Sequence, residues 1–318
     1  MSNCRAAVPA MPTSRVRFRL GTRASPLARW QAGWVAAALG QRGVQVELVY
    51  VTTSGDRARP PASGVPQRGL FTKEIQESLL AGHIDLAVHS LKDLPTEPVP
   101  GLSLAAVPER AAPNDVLVSD RAASFAELPP RASVGSGSLR RRAQLLKARG
   151  DLVMRDLAGN VETRLRKLHE GRYDAIVLAE AGLRRLGLTE EITQVLPLEL
   201  VLPAVGQGAL AIEARSDDEP ARRAVLPLDH AATRAAVTAE RAMLATLEGG
   251  CLAPIAAWAR ADGPALVLTG RVLSSDGARQ LEATLNSFPA EGEALGRRVA
   301  EALLAQGAAA LIAAARRG

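Results

Sequence analysis

The chain has 318 residues, with 39 Lys+Arg against 33 Asp+Glu, a formal net charge of +6, and only two Cys. Its 47% hydrophobic and 23% charged residues suit roughly two or three globular domains and exclude a disordered chain, a collagen, a coiled coil and a disulfide-stapled miniprotein. Only 3% of residues are aromatic, which argues against binding nucleic acid by base stacking, and all but four of the basic residues are Arg, the side chain suited to bidentate binding of carboxylate or phosphate.

Two cysteines point to a reducing cytoplasm. No apolar run approaches the ~20 residues that span a bilayer. The N-terminal stretch before Val16 reads as a loose extension and not a signal peptide, and Met11 could serve as the start. Short apolar strands then alternate with helical stretches over the first two-thirds of the chain. Val16–Leu20 reads as a strand. A helix follows with Ser25 at its N-cap and Pro26 at its first position; Leu27, Trp30 and Trp34 recur at helical spacing and are expected to face the core. Val44–Val51 alternates like a half-buried strand, and Thr52–Gly69, rich in Gly, Pro and Arg, reads as a mobile loop. A helix near Thr72–Ala81 leads into the strand of IDLAVH.

The same grammar returns downstream. Ala132–Arg141 reads as strand, Gly/Ser turn and helix, and the segment from Val161 to Ala179 as helix then strand. The spacing L-x-x-G-x-x-D-x-x-V fits Leu79, Gly82, Asp85 and Val88, and again Leu168, Gly171, Asp174 and Val177. This suggests two similar α/β domains facing each other across a cleft; the alternative is that any two βαβ units look alike. Beyond about residue 230 an Ala-rich helix covers Ala231–Leu247. Strands near Ile255–Arg260, Ala265–Leu273 and Gln280–Asn286 and a helix from Glu291 to Ala305 follow. They form a smaller α+β domain, with its boundary near Asp217–His230.

Polar residues cluster in HSLKDLPT, just beyond the strand that ends at His89, where ligands sit in open α/β sheets. Asp93 is there either a solvated turn residue or a carboxylate aimed into a cleft as acid, base or cation stabiliser. GSGSLRRR, Gly135–Arg142, sets three arginines in the first turn of a helix, against its dipole. An anion would reverse that penalty by meeting free N–H groups and guanidinium forks together; a solvated basic helix is the alternative. Successive residues are about 100° apart on a helix, so the three cannot all reach one ligand. GTRASPL repeats the device with Arg23 and Ser25, whereas Arg164 and Arg185 taken singly read as surface charge. LEGGCLAP places Cys251 in a loop behind a Gly-Gly turn with no His nearby in sequence, which favours covalent attachment over hydrolytic catalysis. The four His show no metal-ligand spacing, and no metal is expected. PAVGQGALAIE sets two glycines around Gln207, as a crossover hinge would.

The segments TRASPLA, GLFTKE, DLAVHSLKDLPT, VGSGSLRRRAQL, AGNVETRL, DAIVLAEAGLRRLGL, LPAVGQGAL and AERAMLATLEGGCLAP occur in that order over roughly residues 16 to 318. Together they closely resemble the porphobilinogen deaminase, or hydroxymethylbilane synthase, family, with SLKDLP and LEGGC the most specific. The resemblance implies an α/β fold: two periplasmic-binding-protein-like α/β lobes plus a smaller C-terminal α+β domain. Domain 1 would span 12–108 with 207–226, domain 2 109–206 and domain 3, which carries the cofactor cysteine, 227–318.

The implied activity is that of a transferase in tetrapyrrole and heme biosynthesis. It deaminates four porphobilinogen molecules, polymerises them head to tail onto a dipyrromethane cofactor held by thioether at Cys251, and releases hydroxymethylbilane. By the same resemblance Lys92, Ser138, Arg140, Arg141 and Arg164 bind the cofactor. Arg23, Ser25, Arg185 and Phe71 bind substrate, with Phe71 and the loop before it as a lid, and Asp93 is catalytic. A cytoplasmic monomer is expected, with porphobilinogen and polypyrrole intermediates as partners and neither nucleic acid nor membrane. The chain departs from the family pattern at Ala158, where Arg is usual and near which Glu162 adds negative charge and Arg155 positive, at Arg68 for Lys, and at Gly137 for a hydroxyl residue. A catalytically silent anion-binding protein on the same two-lobed fold is the second reading; Asp93 and Cys251 argue against it, since a simple binder needs neither.

Overall fold

The computed structural model describes residues 17–57, 71–248 and 253–317. Cys251, Arg68 and Met11, and most of the expected loop and N-terminal extension, lie outside the described residues.

The first lobe opens with β1 (Arg17–Thr22), which buries Phe18 and Leu20. In α1 (Pro26–Gly40) Ser25 caps the N-terminus, accepting from Ala28 N at 3.4 Å, and Pro26 fills the first position, as expected. The buried face differs from the expected stripe. It is Gln31, Ala32, Val35 and Leu39, while Trp30 and Trp34 are 39% and 41% exposed. Ala32 and Val35 are small enough to let the helix lie close against β1 and the strands beside it, where an indole would force it away. Next come β2 (Gln45–Tyr50), the helical turn α2 (Ser54–Arg57) inside the expected loop, α3 (Lys73–Leu80), β3 (Leu86–Ser90) and β4 (Leu102–Ala106).

The second lobe comprises β5 (Asp115–Val118), β6 (Ser133–Gly135), α4 (Leu139–Ala148), β7 (Val153–Arg155), α5 (Val161–His169), β8 (Ala175–Ala179), α6 (Glu180–Arg185) and β9 (Gln194–Val195). The chain then returns with β10 (Leu210–Arg215), which enters the first sheet between β3 and β4, and α7 (Glu219–Val225) packs on it.

The two sheets share one plan, with orders β2-β1-β3-β10-β4 and β7-β6-β8-β5-β9 and an antiparallel strand in the fourth place of each. The repeated sequence spacing marks equivalent points. Gly82 and Gly171 end their helices at φ +70 and +74, a conformation glycine adopts freely. Asp85 and Asp174 then accept the backbone N–H of the parallel neighbour strand, from Arg19 at 2.8 Å and from Ser133 at 2.7 Å. Leu79, Leu168, Val88 and Val177 are all buried.

The third domain packs α8 (Ala231–Thr246) and α9 (Gly292–Ala305) on the antiparallel sheet β11 (Ile255–Asp262), β12 (Ala265–Leu273) and β13 (Gln280–Ser287), with α10 (Ala308–Arg317) beside them. Its Glu240, fully buried, reaches the two crossovers between the lobes. It accepts from Arg110 at 2.6 and 3.2 Å, from Gly206 N at 2.7 Å and from Ala259 N at 2.9 Å. Among the described residues no single helix is long and apolar enough to cross a membrane.

In the second lobe three segments meet at His169, whose Nδ1 lies 3.0 Å from Asp120 and Nε2 3.2 Å from Glu191. The hydrogen bond with Asp120, helped by the charge of Glu191, raises the imidazole above its ordinary range. Such a group stabilises fully below its unfolded pKa of about 6.5, and the gain is lost as pH rises through the folded value. The melting temperature of His169→Gln should therefore trail wild type at pH 6 and match it at pH 9. Solvent screening limits the difference to about 1 kcal/mol. A gap that widens with pH would contradict the assignment.

Candidate active site

β3 runs buried from Leu86 to His89 and then tightens into a 3-10 turn, Leu91–Asp93. Leu91 and Leu94 are buried on either side, and Leu91 N donates to Ala209 O at 3.0 Å. The turn is thus pinned at both ends and presents Lys92 and Asp93 between them. Asp93 is exposed and Lys92 half-buried. Beneath it, His89 Nε2 lies 3.0 Å from Glu213 Oε2, and Gln76 donates to both oxygens of that carboxylate at 3.1 Å. The Arg23 guanidinium stands 4.0 Å above the Phe71 ring, a cation–π contact, and Gln31 donates to Ser90 Oγ at 2.8 Å. Arg23, Ser25, Gln31, Phe71, Ser90 and Asp93 line a single recess with Thr72.

The facing wall comes from the second lobe. Ser138 caps α4 and accepts from Arg141 N at 3.5 Å. Arg140 and Arg141 are buried, and both reach Asp115: Arg140 Nη2 to Oδ2 at 2.7 Å, Arg141 Nη2 and Nε to Oδ1 at 2.7 and 2.9 Å. Gln207, from the return crossover, donates to the same Oδ1 at 3.0 Å. Burial alone would raise Asp115, but the two guanidiniums outweigh it and hold the carboxyl at about 2. Arg142 points elsewhere, to the exposed Asp156.

An anion does meet the arginine turn, then, and the chain itself supplies it. Sequence reasoning missed Asp115 because PNDVLV carries no local sign of a partner 25 residues on. Arg140 also donates to Leu202 O at 2.6 Å and Arg141 to Val177 O at 3.0 Å, so neither fork is open as the motif suggested.

Two more cations, Lys92 and Arg164, feel the charge of this pair, and a third, Arg185, is buried on α6. Burial pushes Lys92 down to about 8; Arg141 and Arg140 lower it further, while Asp93 and Asp115 oppose them. Arg164, on α5, is pushed down to about 10 by burial and by Arg141, against Asp93. Asp93 therefore feels a cation from each lobe. Arg185, on α6, is lowered to about 10 by burial; it donates to Gly208 O at 2.6 Å and lies 5.7 Å over Trp30 of the other lobe. Cations held below their ordinary pKa regain stability when an anion joins them, so the cleft is suited to a molecule with several carboxylates.

At the sites of departure, Ala158, Arg155 and Glu162 are exposed, and Lys167 Nζ donates to Ala158 O at 2.9 Å, so a cation still stands at that turn. A Cβ at Gly137 would lie 2.9 Å from Leu157 O, which explains glycine there. Cys251 lies outside the described residues.

Residues 18–223 match the sequence family described as "Porphobilinogen deaminase, dipyromethane cofactor binding domain", and residues 234–305 the one described as "Porphobilinogen deaminase, C-terminal domain". The chain is 49% identical to the porphobilinogen deaminases of Geobacter sulfurreducens and Geobacter metallireducens over 300 residues, covering 93% of this chain and 94% of each relative. Among solved structures it is similar to the methionine-binding protein MetQ, at 14% identity and a TM-score of 0.45, over 67% of this chain and 89% of that one.

The shared carboxylate sets an expectation for stability. Arg141→Leu leaves buried Asp115 with half its pairing and should cost about 3–5 kcal/mol, whereas Arg142→Leu removes an exposed pair worth at most about 1 kcal/mol. Urea midpoints of the two variants test this. Equal shifts would mean that Asp115 does not depend on Arg141.

Proposed function

The chain belongs to the porphobilinogen deaminase family, and from that membership we propose how its own residues divide the work. The enzyme is a hydroxymethylbilane synthase: it deaminates four porphobilinogen molecules, joins them head to tail on a dipyrromethane cofactor and releases hydroxymethylbilane. The observation that carries the residue assignments is the placement of Asp93, in the turn after β3, in one recess with Arg23, Ser25 and Phe71.

The residues fit the cofactor. A dipyrromethane made from two porphobilinogens carries an acetate and a propionate on each ring, and the cleft offers Lys92 and Arg164, both held below their ordinary pKa by burial and by the charge of Arg141. When bound it would supply the free pyrrole carbon to which the first unit is joined, each later unit being joined to the one before. Cys251 is the attachment point. Ser138, Lys92 and Arg164 hold the carboxylates directly, while Arg140 and Arg141, already bonded to Asp115, attract them through charge. Two guanidiniums share Asp115, so that cluster keeps one net positive charge facing the cleft. Arg23, Ser25 and Arg185 take the carboxylates of the incoming substrate, and Phe71 closes over it.

Asp93 carries the chemistry. The C–N bond of the substrate's protonated aminomethyl group breaks, its electron pair leaves with ammonia, and an azafulvene-type cation remains, whose methylene carbon then forms the new C–C bond to a pyrrole carbon. The surrounding guanidiniums serve the substrate carboxylates but oppose this cation. An exposed carboxylate in the same turn stabilises it at the pyrrole N–H and takes the proton released when the ring regains aromaticity. We place the reaction in the cytoplasm, in a monomer whose partners are porphobilinogen and the polypyrrole intermediates.

Two measurements test these assignments. The intact mass of the purified protein should exceed the sequence mass by two porphobilinogens less two ammonias, and Cys251→Ala should abolish the increment. An unmodified wild-type mass after incubation with substrate would remove the attachment claim. Separately, Asp93→Asn should fold normally with cofactor loaded yet lose on the order of a hundredfold in rate, and Asp93→Glu should retain more activity. Turnover of the Asn variant within a few-fold of wild type would send the search for the carboxylate elsewhere.

A further inference from the structure

Thr72 occupies the N-cap position of α3 but does not cap it: its φ of −122° and ψ of −28° depart from the usual cap geometry, and its side chain makes no capping bond. Its backbone carbonyl is used, accepting from Gln76 N at 2.9 Å. The residue is 1% exposed, and Oγ1 has no hydrogen-bond partner among the described residues. A buried hydroxyl left in that state is disfavoured, and valine would fill the same space without the penalty. Thr72 also lines the recess with Arg23, Ser25 and Phe71.

We propose that the Thr72 hydroxyl is a further substrate-binding group, which donates a hydrogen bond to a carboxylate of porphobilinogen seated between Arg23 and Ser25. The proposal rests on the reading of this recess as the substrate site and extends it by one residue. The Arg23 guanidinium supplies charge and the hydroxyl supplies direction. The hydroxyl is set at the start of a helix beside the ring on which Arg23 stacks, and so has a fixed place. Before substrate arrives the hydroxyl has no partner among the described residues, and the cost of its burial is recovered on binding.

That account separates binding from stability, and the two move in opposite directions. In the holoenzyme, Thr72→Val should raise KM for porphobilinogen by about tenfold, the effect of one lost hydrogen bond, while its thermal midpoint stays level or rises. Thr72→Ser should bring KM back to within about threefold of wild type. Arg23→Leu serves as the control on the recess. If Arg23→Leu raises KM and Thr72→Val leaves it within twofold, the recess binds substrate and the proposal is wrong. If neither raises KM, the reading of the recess fails and the proposal with it. A lowered midpoint for Thr72→Val with unchanged KM would show that the hydroxyl serves the fold, and would also overturn the proposal.

Discussion

One buried carboxylate holds the arrangement of the three domains. Glu240 has no exposed surface and takes its hydrogen bonds from the outgoing crossover at Arg110, the return crossover at Gly206 and its own domain's sheet at Ala259. Arg110 in turn donates to the carbonyl of Gln207 at 2.7 Å. Both strands that link the lobes are therefore clamped from the third domain at one point. A carboxylate buried this deeply is tolerable only because each lone pair finds a donor. The clamp is specific for that reason: displacement of any one segment would leave a charge in the interior.

The cleft inherits its geometry from that point. The return crossover carries Ala209, which anchors the turn bearing Asp93, and Gln207, which reaches the Asp115 cluster in the other lobe. Asp93 and the arginine turn lie on different sheets, and one short segment contacts the supports of both. Electrostatics then sets what the cleft accepts. Asp115 neutralises part of a dense set of cations, enough to let Arg140 and Arg141 be buried, but less than would cancel it. Lys92 and Arg164 remain depressed and so favour an anionic guest. Asp93 is the counterpoint, an exposed negative group whose charge opposes the lowering of Lys92 and Arg164.

Much of this was legible in the sequence because it depends on local spacing. The cap at Ser25, the strand-to-turn placement of Asp93 and the repeated Leu-Gly-Asp-Val points all follow from a few adjacent residues, and the structure places them as expected. The tryptophans of α1 read wrongly. Helical periodicity shows that a face is apolar but not how near the sheet lies, and a close approach selects Ala32 and Val35 over Trp30 and Trp34.

The order of strands and helices, the change to an α+β pattern near residue 230, and the motifs that put Asp93 at a strand end and three arginines at the start of a helix were determined by sequence alone. Each is written in short-range patterns of polarity and turn chemistry. Only the tertiary structure decided which charges meet. The Arg110–Glu240 pair is 130 residues apart and the Arg140–Asp115 pair 25, and neither leaves a periodic trace. A buried ion pair is fixed by where two segments cross in space, and a crossing is a property of the packed chain rather than of any window along it.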